Sequence, residues 1–166
     1  MTHTAKHKKK SACLRIITRS ERETVRLGRS LAHCVRAGMT VALVGTLGSG
    51  KTTLVKGIVA GRLPAAAVHV KSPSFTVINQ YPGAVPIYHI DCYRIDDPAE
   101  LAYIGIDECI FGTGITVIEW ADKITTLLPP ACVMITLKQG GKERRIITIR
   151  SADADFMACV RRRIHA

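Results

Sequence analysis

Short apolar runs alternate with helix-like patterns along the chain, and this order predicts strands interleaved with helices. Three runs are strongly apolar, as in strands covered on both faces, and two of them lead directly into an acidic residue. They are TVALVG (residues 40–45), VPIYHID (85–91) and GITVIEW (114–120). Near the C-terminus, CVMITLK and RRIITIR flank QGGKE, which predicts an antiparallel hairpin.

Three further runs predict strands with weaker signals: CLRIIT (13–18), AVHVK (67–71) and FTVINQY (75–81). A turn-like SPS separates the last two. The whole order predicts an α/β sandwich with a mostly parallel sheet and antiparallel edge strands.

Capping signals and apolar spacing predict four helices. The first begins after Ser20, which has capping-box spacing to Glu23, and we expect Gly38 to close it. The second is GKTTLVKGIVAG, with Gly61 as its end, and a short third one begins after Asp97 and ends near Gly105. The fourth starts near residue 151 and buries one apolar face, formed by Phe156, Val160 and Ile164.

The net charge of +11 is concentrated near the two ends of the chain. Lys6, Lys8, Lys9 and Lys10 lie in one end, and Arg161, Arg162 and Arg163 lie in the other. We interpret both runs as solvated, the arginines also as favourable charges at a helix C-terminus. Direct contact of these basic tails with RNA stays open as an alternative. Residues 1–10 are predicted to be a disordered tail, and residues 11–166 a single domain.

No apolar run approaches the roughly 20 residues that span a bilayer. The basic N-terminus is followed by SACLRIITRSERE, not by the apolar core of a secretory signal, which predicts a cytoplasmic protein without a membrane partner. Six cysteines form no C-x-x-C pair, so zinc binding has little support. Their spacing leaves disulfides open as an alternative, and we expect buried thiols in a reducing compartment.

The strongest motif is GTLGSGKT (residues 45–52), which fits the phosphate-loop pattern G-x-x-x-x-G-K-[ST]. It lies between an apolar strand and an amphipathic helix, as that pattern requires. Its glycines let successive N–H groups converge on phosphate oxygens, and the helix N-terminus adds its dipole. We expect Lys51 to reach the β- and γ-phosphates and Thr52 to bind Mg²⁺. This motif makes the predicted fold a three-layer P-loop NTPase-like sandwich.

Two acidic residues, Asp91 and Glu119, each follow an apolar strand. Parallel strands deliver their C-terminal ends to one crevice, where a ligand binds. The run ITVIE has the form of a Walker B strand, so Glu119 is the predicted metal partner and Asp91 is predicted to lie nearer the γ-phosphate. His89 and Trp120 are left open between a site role and a core role.

The absence of three motifs indicates which nucleotide the protein binds. There is no N-K-x-D run to read guanine, no D-x-x-G after the loop, and no ABC-type signature. Adenine nucleotide is therefore the predicted ligand.

The order and spacing of several segments resemble the family of the bacterial tRNA threonylcarbamoyladenosine biosynthesis protein TsaE. These segments are GTLGSGKTT, VKSPSFTVINQY, IYHIDCYRIDDPAEL, IGIDE and VIEWADK, and the resemblance runs from about Ser20 to Ile149. It implies a small ATPase that works with TsaB and TsaD to install threonylcarbamoyl on the adenosine beside the anticodon (t6A37) in tRNAs reading ANN codons. Contact with tRNA would then be indirect, through that complex.

The resemblance also implies roles for particular residues. Phosphate binding falls to Leu47, Gly48, Ser49, Gly50, Lys51 and Thr52, with further nucleotide contacts from Glu21, Asp91, Gly141 and Lys142. Thr52 and Glu119 would ligate Mg²⁺, and Lys51, Asp91 and Glu119 would be catalytic. SPSFT, residues 72–76, resembles a switch-like loop. Thr46 and Ser74 depart from the family pattern, which puts switch behaviour and partner affinity in doubt.

Two other functions remain as alternatives. A small-molecule P-loop kinase shares the loop but needs an acceptor pocket and an arginine-bearing lid, and no segment suggests either. A tRNA-binding adaptor without catalysis would use the basic tails. Arg94 is a candidate to offset transition-state charge, or the partner in a structural ion pair.

Overall fold

The computed structural model describes residues 11–164 and places a seven-stranded mixed sheet at the centre of the chain. The strands are β1 (Ala12–Thr18), β2 (Thr40–Val44), β3 (Ile78–Tyr81), β4 (Ile87–Asp91), β5 (Ile115–Glu119), β6 (Val133–Gln139) and β7 (Arg145–Ser151). The α-helices are α1 (Glu21–Ala32), α2 (Lys51–Arg62), α3 (Ile106–Phe111) and α4 (Ala154–Ile164). Three 3-10 segments cover Pro64–His69, Pro98–Ile104 and Ala121–Leu127. The predicted basic tail, residues 1–10, lies outside the described residues.

The strand order is β1-β7-β6-β2-β5-β4-β3. The four central strands, β6, β2, β5 and β4, run parallel, while β7, β1 and β3 pair antiparallel at the two edges. This arrangement confirms the predicted fold class. Because the phosphate-loop strand β2 lies between β6 and β5, its C-terminal end falls in the middle of the crevice edge.

Two hydrophobic clusters cover opposite faces of the sheet and make three layers. The larger one packs α1, α2 and α4 on the sheet through residues such as Leu31, Ile58 and Phe156. The smaller one packs α3 and two 3-10 segments on the other face, with Leu101 and Ile124 fully buried. No helix among residues 11–164 has the length and apolar character that crossing a bilayer requires.

Helices α1 and α2 cross at a pair of glycines. A Cβ on Gly57 would lie 2.3 Å from the Val25 carbonyl oxygen and 2.8 Å from the Gly28 Cα. The same packing explains Gly61, which lies inside α2 and faces Ala32 at too short a distance for a side chain. The prediction that Gly61 ends the helix was therefore wrong, and α2 ends one residue later.

We expect Gly57→Ala to lower the free energy of unfolding by about 1–3 kcal/mol, because the added methyl group forces two helix backbones apart. The higher helix propensity of alanine works against this by about 1 kcal/mol, so a stabilised variant would contradict the close-packing assignment. Chemical denaturation measures the difference. Lys56→Ala, an exposed change in the same helix, is the control.

The predictions for the other three helices were partly confirmed. Ser20 caps α1 by accepting from the Glu23 N–H, but the helix ends at Ala32, well before Gly38. The Asp97 cap and the Gly105 end are confirmed for the segment Pro98–Ile104, which is 3-10 instead of α-helical. Helix α4 begins after residue 153 and buries Phe156 and Val160, whereas Ile164 is only half-buried. Its three arginines lie in the last turn as predicted.

Two predicted strands were wrong in whole or in part. AVHVK falls mostly in the 3-10 segment Pro64–His69, where a proline followed by three alanines favours a helical turn. In FTVINQY only Ile78–Tyr81 pairs, because Val77 has a φ of 63° and breaks the extended backbone before it. The helix α3 and the 3-10 segment Ala121–Leu127 were not predicted.

The expectation that the cysteines are buried thiols holds for Cys92 and Cys109. It was wrong for Cys34 and Cys159, which form a disulfide, and for the free cysteines Cys13, which is exposed, and Cys132, which is half-buried. Cys34 follows the end of α1 and Cys159 lies in α4. Packing of these helices brings their Cα atoms to 5.6 Å, a separation typical of disulfides. The spacing in the sequence, 125 residues apart, gave no signal for this pairing.

Breaking this disulfide is expected to lower the free energy of unfolding by about 2–4 kcal/mol, because the bond closes a long loop in the unfolded chain. Denaturant unfolding of Cys34→Ser and Cys159→Ser variants, and of the wild type with reductant, measures the loss. Cys13→Ser, at an exposed free cysteine, is the control. An unchanged unfolding midpoint in reductant would show that the bond contributes nothing.

Candidate functional site

A cavity of about 590 Å³ opens at the C-terminal ends of β2, β4 and β5. This edge is where an open α/β sheet binds its ligands. Nearly all residues predicted for the site line the cavity: Glu21, Leu47, Gly48, Ser49, Gly50, Lys51, Thr52, Asp91, Glu119 and Lys142. The prediction for Gly141 has no such support, since this residue is outside the lining although its neighbour Lys142 belongs to it.

The loop of residues 45–50 delivers the start of α2 to the cavity. Gly50 is the N-cap, with a φ of 98° that an L side chain rarely adopts, and no side chain among residues 11–164 caps this helix end. The first N–H groups of α2 are therefore left for another acceptor. Ser49 Oγ is buried, and within residues 11–164 it has no hydrogen-bond partner. Free N–H groups and an unsatisfied hydroxyl suit an anion bound in the loop.

Lys51 is the first residue of α2 and is only 4% exposed. Its Nζ donates hydrogen bonds to the carbonyl oxygens of Gly45 at 2.8 Å and Thr46 at 3.1 Å. The ammonium also lies 3.8 Å from the centre of the Trp120 ring, a cation–π distance. Burial lowers the pKa of Lys51, and the carboxylates of Glu119, Asp91 and Asp122 oppose that shift.

Glu119 connects the half-buried Thr52 to the buried His89 in a chain of hydrogen bonds. Thr52 Oγ1 donates to the Glu119 carboxylate, with its oxygens at 2.8 and 3.0 Å. His89 Nε2 lies 2.8 Å from Glu119 Oε1 in a fully buried position. His89 was left open between a site role and a core role, and the structure shows both: it contacts Glu119 and is buried in the core.

Asp91 is held by the loop that resembles a switch. Its Oδ2 accepts hydrogen bonds from Ser72 Oγ and from Ser74 Oγ, the latter at 3.0 Å, and its Oδ1 accepts from the Tyr93 N–H at 2.8 Å. Asp91 and Glu119 are direct neighbours in the β4–β5 pair. The two carboxylates predicted to converge therefore do so.

The hydroxyl of Thr52 beside the carboxylate of Glu119 fits Mg²⁺, which prefers oxygen ligands. Within residues 11–164, no three histidine, cysteine, aspartate or glutamate side chains cluster in a way that could hold a metal. An ion here would take few ligands from the protein and the rest from phosphate and water, as Mg²⁺ commonly does.

Two arginines also line the cavity. The guanidinium of Arg94, an open candidate from the sequence, lies 4.2 Å from the centre of the exposed Phe75 ring and so is stacked on the switch-like loop. The stem of Arg145, which begins β7, passes close to Gly50. Sequence reasoning missed Arg145. The sequence contained a signal for it. The predicted hairpin follows a parallel strand, so its second strand begins at the crevice edge, and Arg145 is at that start.

The sheet order, the glycine loop before α2 and the acidic residues at two strand ends define a P-loop-like α/β protein. Comparison with known proteins identifies the family. The model of the family "Threonylcarbamoyl adenosine biosynthesis protein TsaE" matches residues 18–147. The chain therefore belongs to the TsaE family.

Named relatives agree with this assignment. A "tRNA threonylcarbamoyladenosine biosynthesis protein TsaE" from Treponema pallidum (strain Nichols) is 35% identical over 136 residues, 82% of this chain and 99% of that protein. The protein of the same name from Bacillus subtilis (strain 168) is 39% identical over 127 residues, covering 76% and 78%. The crystal structure of Bacillus subtilis YdiB superposes with a TM-score of 0.74 at 29% identity, over 94% of this chain and 97% of that one.

Proposed function

We propose that this protein is a Mg²⁺-dependent ATPase that acts with TsaB and TsaD in the t6A37 modification of tRNAs reading ANN codons. Family membership supports the role in t6A synthesis. The observation that carries the ATPase activity is the convergence of three groups at one cavity. These are the uncapped loop before α2, the Thr52–Glu119 pair and Asp91.

In the proposed reaction, Lys51 exchanges the Gly45 and Thr46 carbonyls for oxygens of the β- and γ-phosphates. The N–H groups at the start of α2 hold the same phosphates. Thr52 and Glu119 would hold Mg²⁺, which when bound would offset negative charge on the phosphates. Glu119 in turn is oriented by His89.

Asp91 links the nucleotide side of the cavity to the loop of residues 72–76. Its Oδ2 accepts hydrogen bonds from both serine hydroxyls of this loop. A change at the γ-phosphate that moves Asp91 would therefore also release or tighten the loop. Phe75 in the loop is 83% exposed, which makes it available to a partner. We infer that hydrolysis is slow alone and that TsaB and TsaD regulate it through this loop.

Phosphate release from ATP by the purified chain, measured with and without TsaB and TsaD and with no other acceptor, tests the proposal. We expect slow Mg²⁺-dependent release that the partners change, and t6A37 formation only when all components and ATP are present. Strict dependence on a small-molecule acceptor would instead identify a kinase. Absence of nucleotide binding with retained tRNA binding would identify an adaptor.

A further inference from the structure

The antiparallel part of the sheet has one face that neither core layer covers. In β1, β7 and β6 the inward face carries Leu14, Ile149 and Ile135, which pack in the larger cluster under the helices. The register places nine side chains on the opposite face, which we name the open face: Cys13, Arg15, Ile17, Met134, Thr136, Lys138, Ile146, Thr148 and Arg150.

The layer that covers the central strands on this side stops at β6. Of the apolar residues on the open face, only Met134 packs against the smaller cluster. Ile17 and Ile146 pack against neither cluster within the described residues, and each is half-buried. A partly apolar sheet face that the described part of the chain leaves uncovered is typical of an interaction surface.

The charge of the open face has one sign. Arg15, Lys138 and Arg150 are exposed, and the three seven-residue strands contain no aspartate or glutamate. Within residues 11–164, none of these three cations forms an ion pair. A surface of this kind attracts a polyanion and repels basic partners.

The composition of the open face also limits the mode of binding. It has no aromatic side chain on which an unpaired base could stack. The open face can instead contact phosphate oxygens through its arginine and lysine side chains and through the threonine hydroxyls that lie between these cations. Standard strand spacing places the Cα atoms of Arg15 and Lys138 about 12 Å apart across the face. Their side chains can therefore reach different phosphates of one backbone.

We propose that the open face binds the sugar–phosphate backbone of RNA, through Arg15, Arg150 and Lys138. The choice of RNA as the polyanion rests on the proposed function. The proposal deepens that function, because it adds a direct tRNA contact to a protein otherwise expected to contact tRNA only through its partners. The contact is independent of base identity.

The first test compares full-length variants for binding to unmodified tRNA over 50–200 mM salt. We expect Arg15→Gln/Arg150→Gln/Lys138→Gln to weaken binding at least tenfold at the lowest salt. It should reduce the slope of log Kd against log salt by about 2–3, since each phosphate contact contributes roughly 0.7–0.9. The matched control, Arg26→Gln/Arg29→Gln/Lys56→Gln, removes the same charge from exposed positions on α1 and α2 and should leave the slope unchanged.

A second readout uses the thiol of Cys13, which lies in the open face opposite Arg150 and is exposed. Burial raises the pKa of the other free thiols, that of Cys92 to about 12, so a thiol-alkylating reagent reacts first with Cys13. We expect saturating tRNA to slow alkylation of Cys13 several-fold. A full-length variant with Lys6, Lys8, Lys9 and Lys10 changed to glutamine should keep this protection.

Three results would overturn the inference: no tRNA binding by the wild type at low salt, equal losses in the two triple variants, or protection of Cys13 that disappears with the N-terminal lysines. Failure of the proposed function is separate. ATP hydrolysis by the isolated Arg15→Gln/Arg150→Gln/Lys138→Gln variant should equal that of the wild type, because none of these residues lines the nucleotide cavity. A wild type without ATPase activity would refute the enzyme assignment and leave the RNA result standing.

Discussion

Lys51→Ala is expected to lower ATP hydrolysis at least about 100-fold, with and without TsaB and TsaD. Its ammonium is buried beside the loop carbonyls, so it needs no large movement to reach a phosphate. Removing one preorganised donor from developing transition-state charge typically lowers kcat by about 10²–10³. Phosphate release under single-turnover conditions measures the chemical step without product release.

The control for this variant is Lys56→Ala, an exposed lysine on the same helix, which should hydrolyse ATP at the wild-type rate. Unfolding by denaturant shows whether Lys51→Ala is folded. A folded Lys51→Ala protein with normal hydrolysis would show that the phosphates bind elsewhere.

Glu119→Gln is expected to lower Mg²⁺-dependent hydrolysis by about 10²–10³ while the protein stays folded. Glutamine keeps an acceptor near Thr52 and His89 but removes the charge that a divalent cation requires. Titration of a fluorescent ADP analogue with and without Mg²⁺ gives a second measurement. We expect Mg²⁺ to strengthen nucleotide binding in the wild type and to lose that effect in Glu119→Gln.

Glu119→Ala separates this electrostatic role from a structural one. It leaves the buried His89 and the Thr52 hydroxyl without their acceptor, which should lower the free energy of unfolding by about 1–3 kcal/mol. Glu108→Gln removes an exposed charge outside the cavity lining and should change neither ATP hydrolysis nor the free energy of unfolding. If Glu119→Gln retains the wild-type response to Mg²⁺, the assignment of Glu119 as a metal ligand is wrong.

Sequence reasoning located most of the candidate site because its parts obey local rules. A glycine loop between a strand and a helix has one geometry, and acids at the ends of parallel strands meet at one edge. That rule placed Asp91 and Glu119 together without showing that β4 and β5 are adjacent, which the register then supplied. The roles predicted for Glu21, Gly141 and Lys142 stay predictions.

What the sequence did not show depends on contacts between distant segments. The hydrogen bonds from Ser72 and Ser74 to Asp91 join a loop to a strand end 19 and 17 residues away, respectively, and no periodic pattern encodes such a contact. The Cys34–Cys159 bond depends on how α4 returns onto α1. The predicted strand FTVINQY was partly wrong because a single backbone angle, at Val77, breaks the extended conformation.

The indole of Trp120 gives the protein a built-in optical signal. The sequence contains a single tryptophan, so all indole emission comes from a ring whose face meets the Lys51 ammonium. If Lys51 turns toward a triphosphate as proposed, the electric field across the indole ring changes, and the wavelength and intensity of its emission should change with it. On that proposal, nucleotide binding to the cavity should be observable in unlabelled protein by stopped-flow fluorescence.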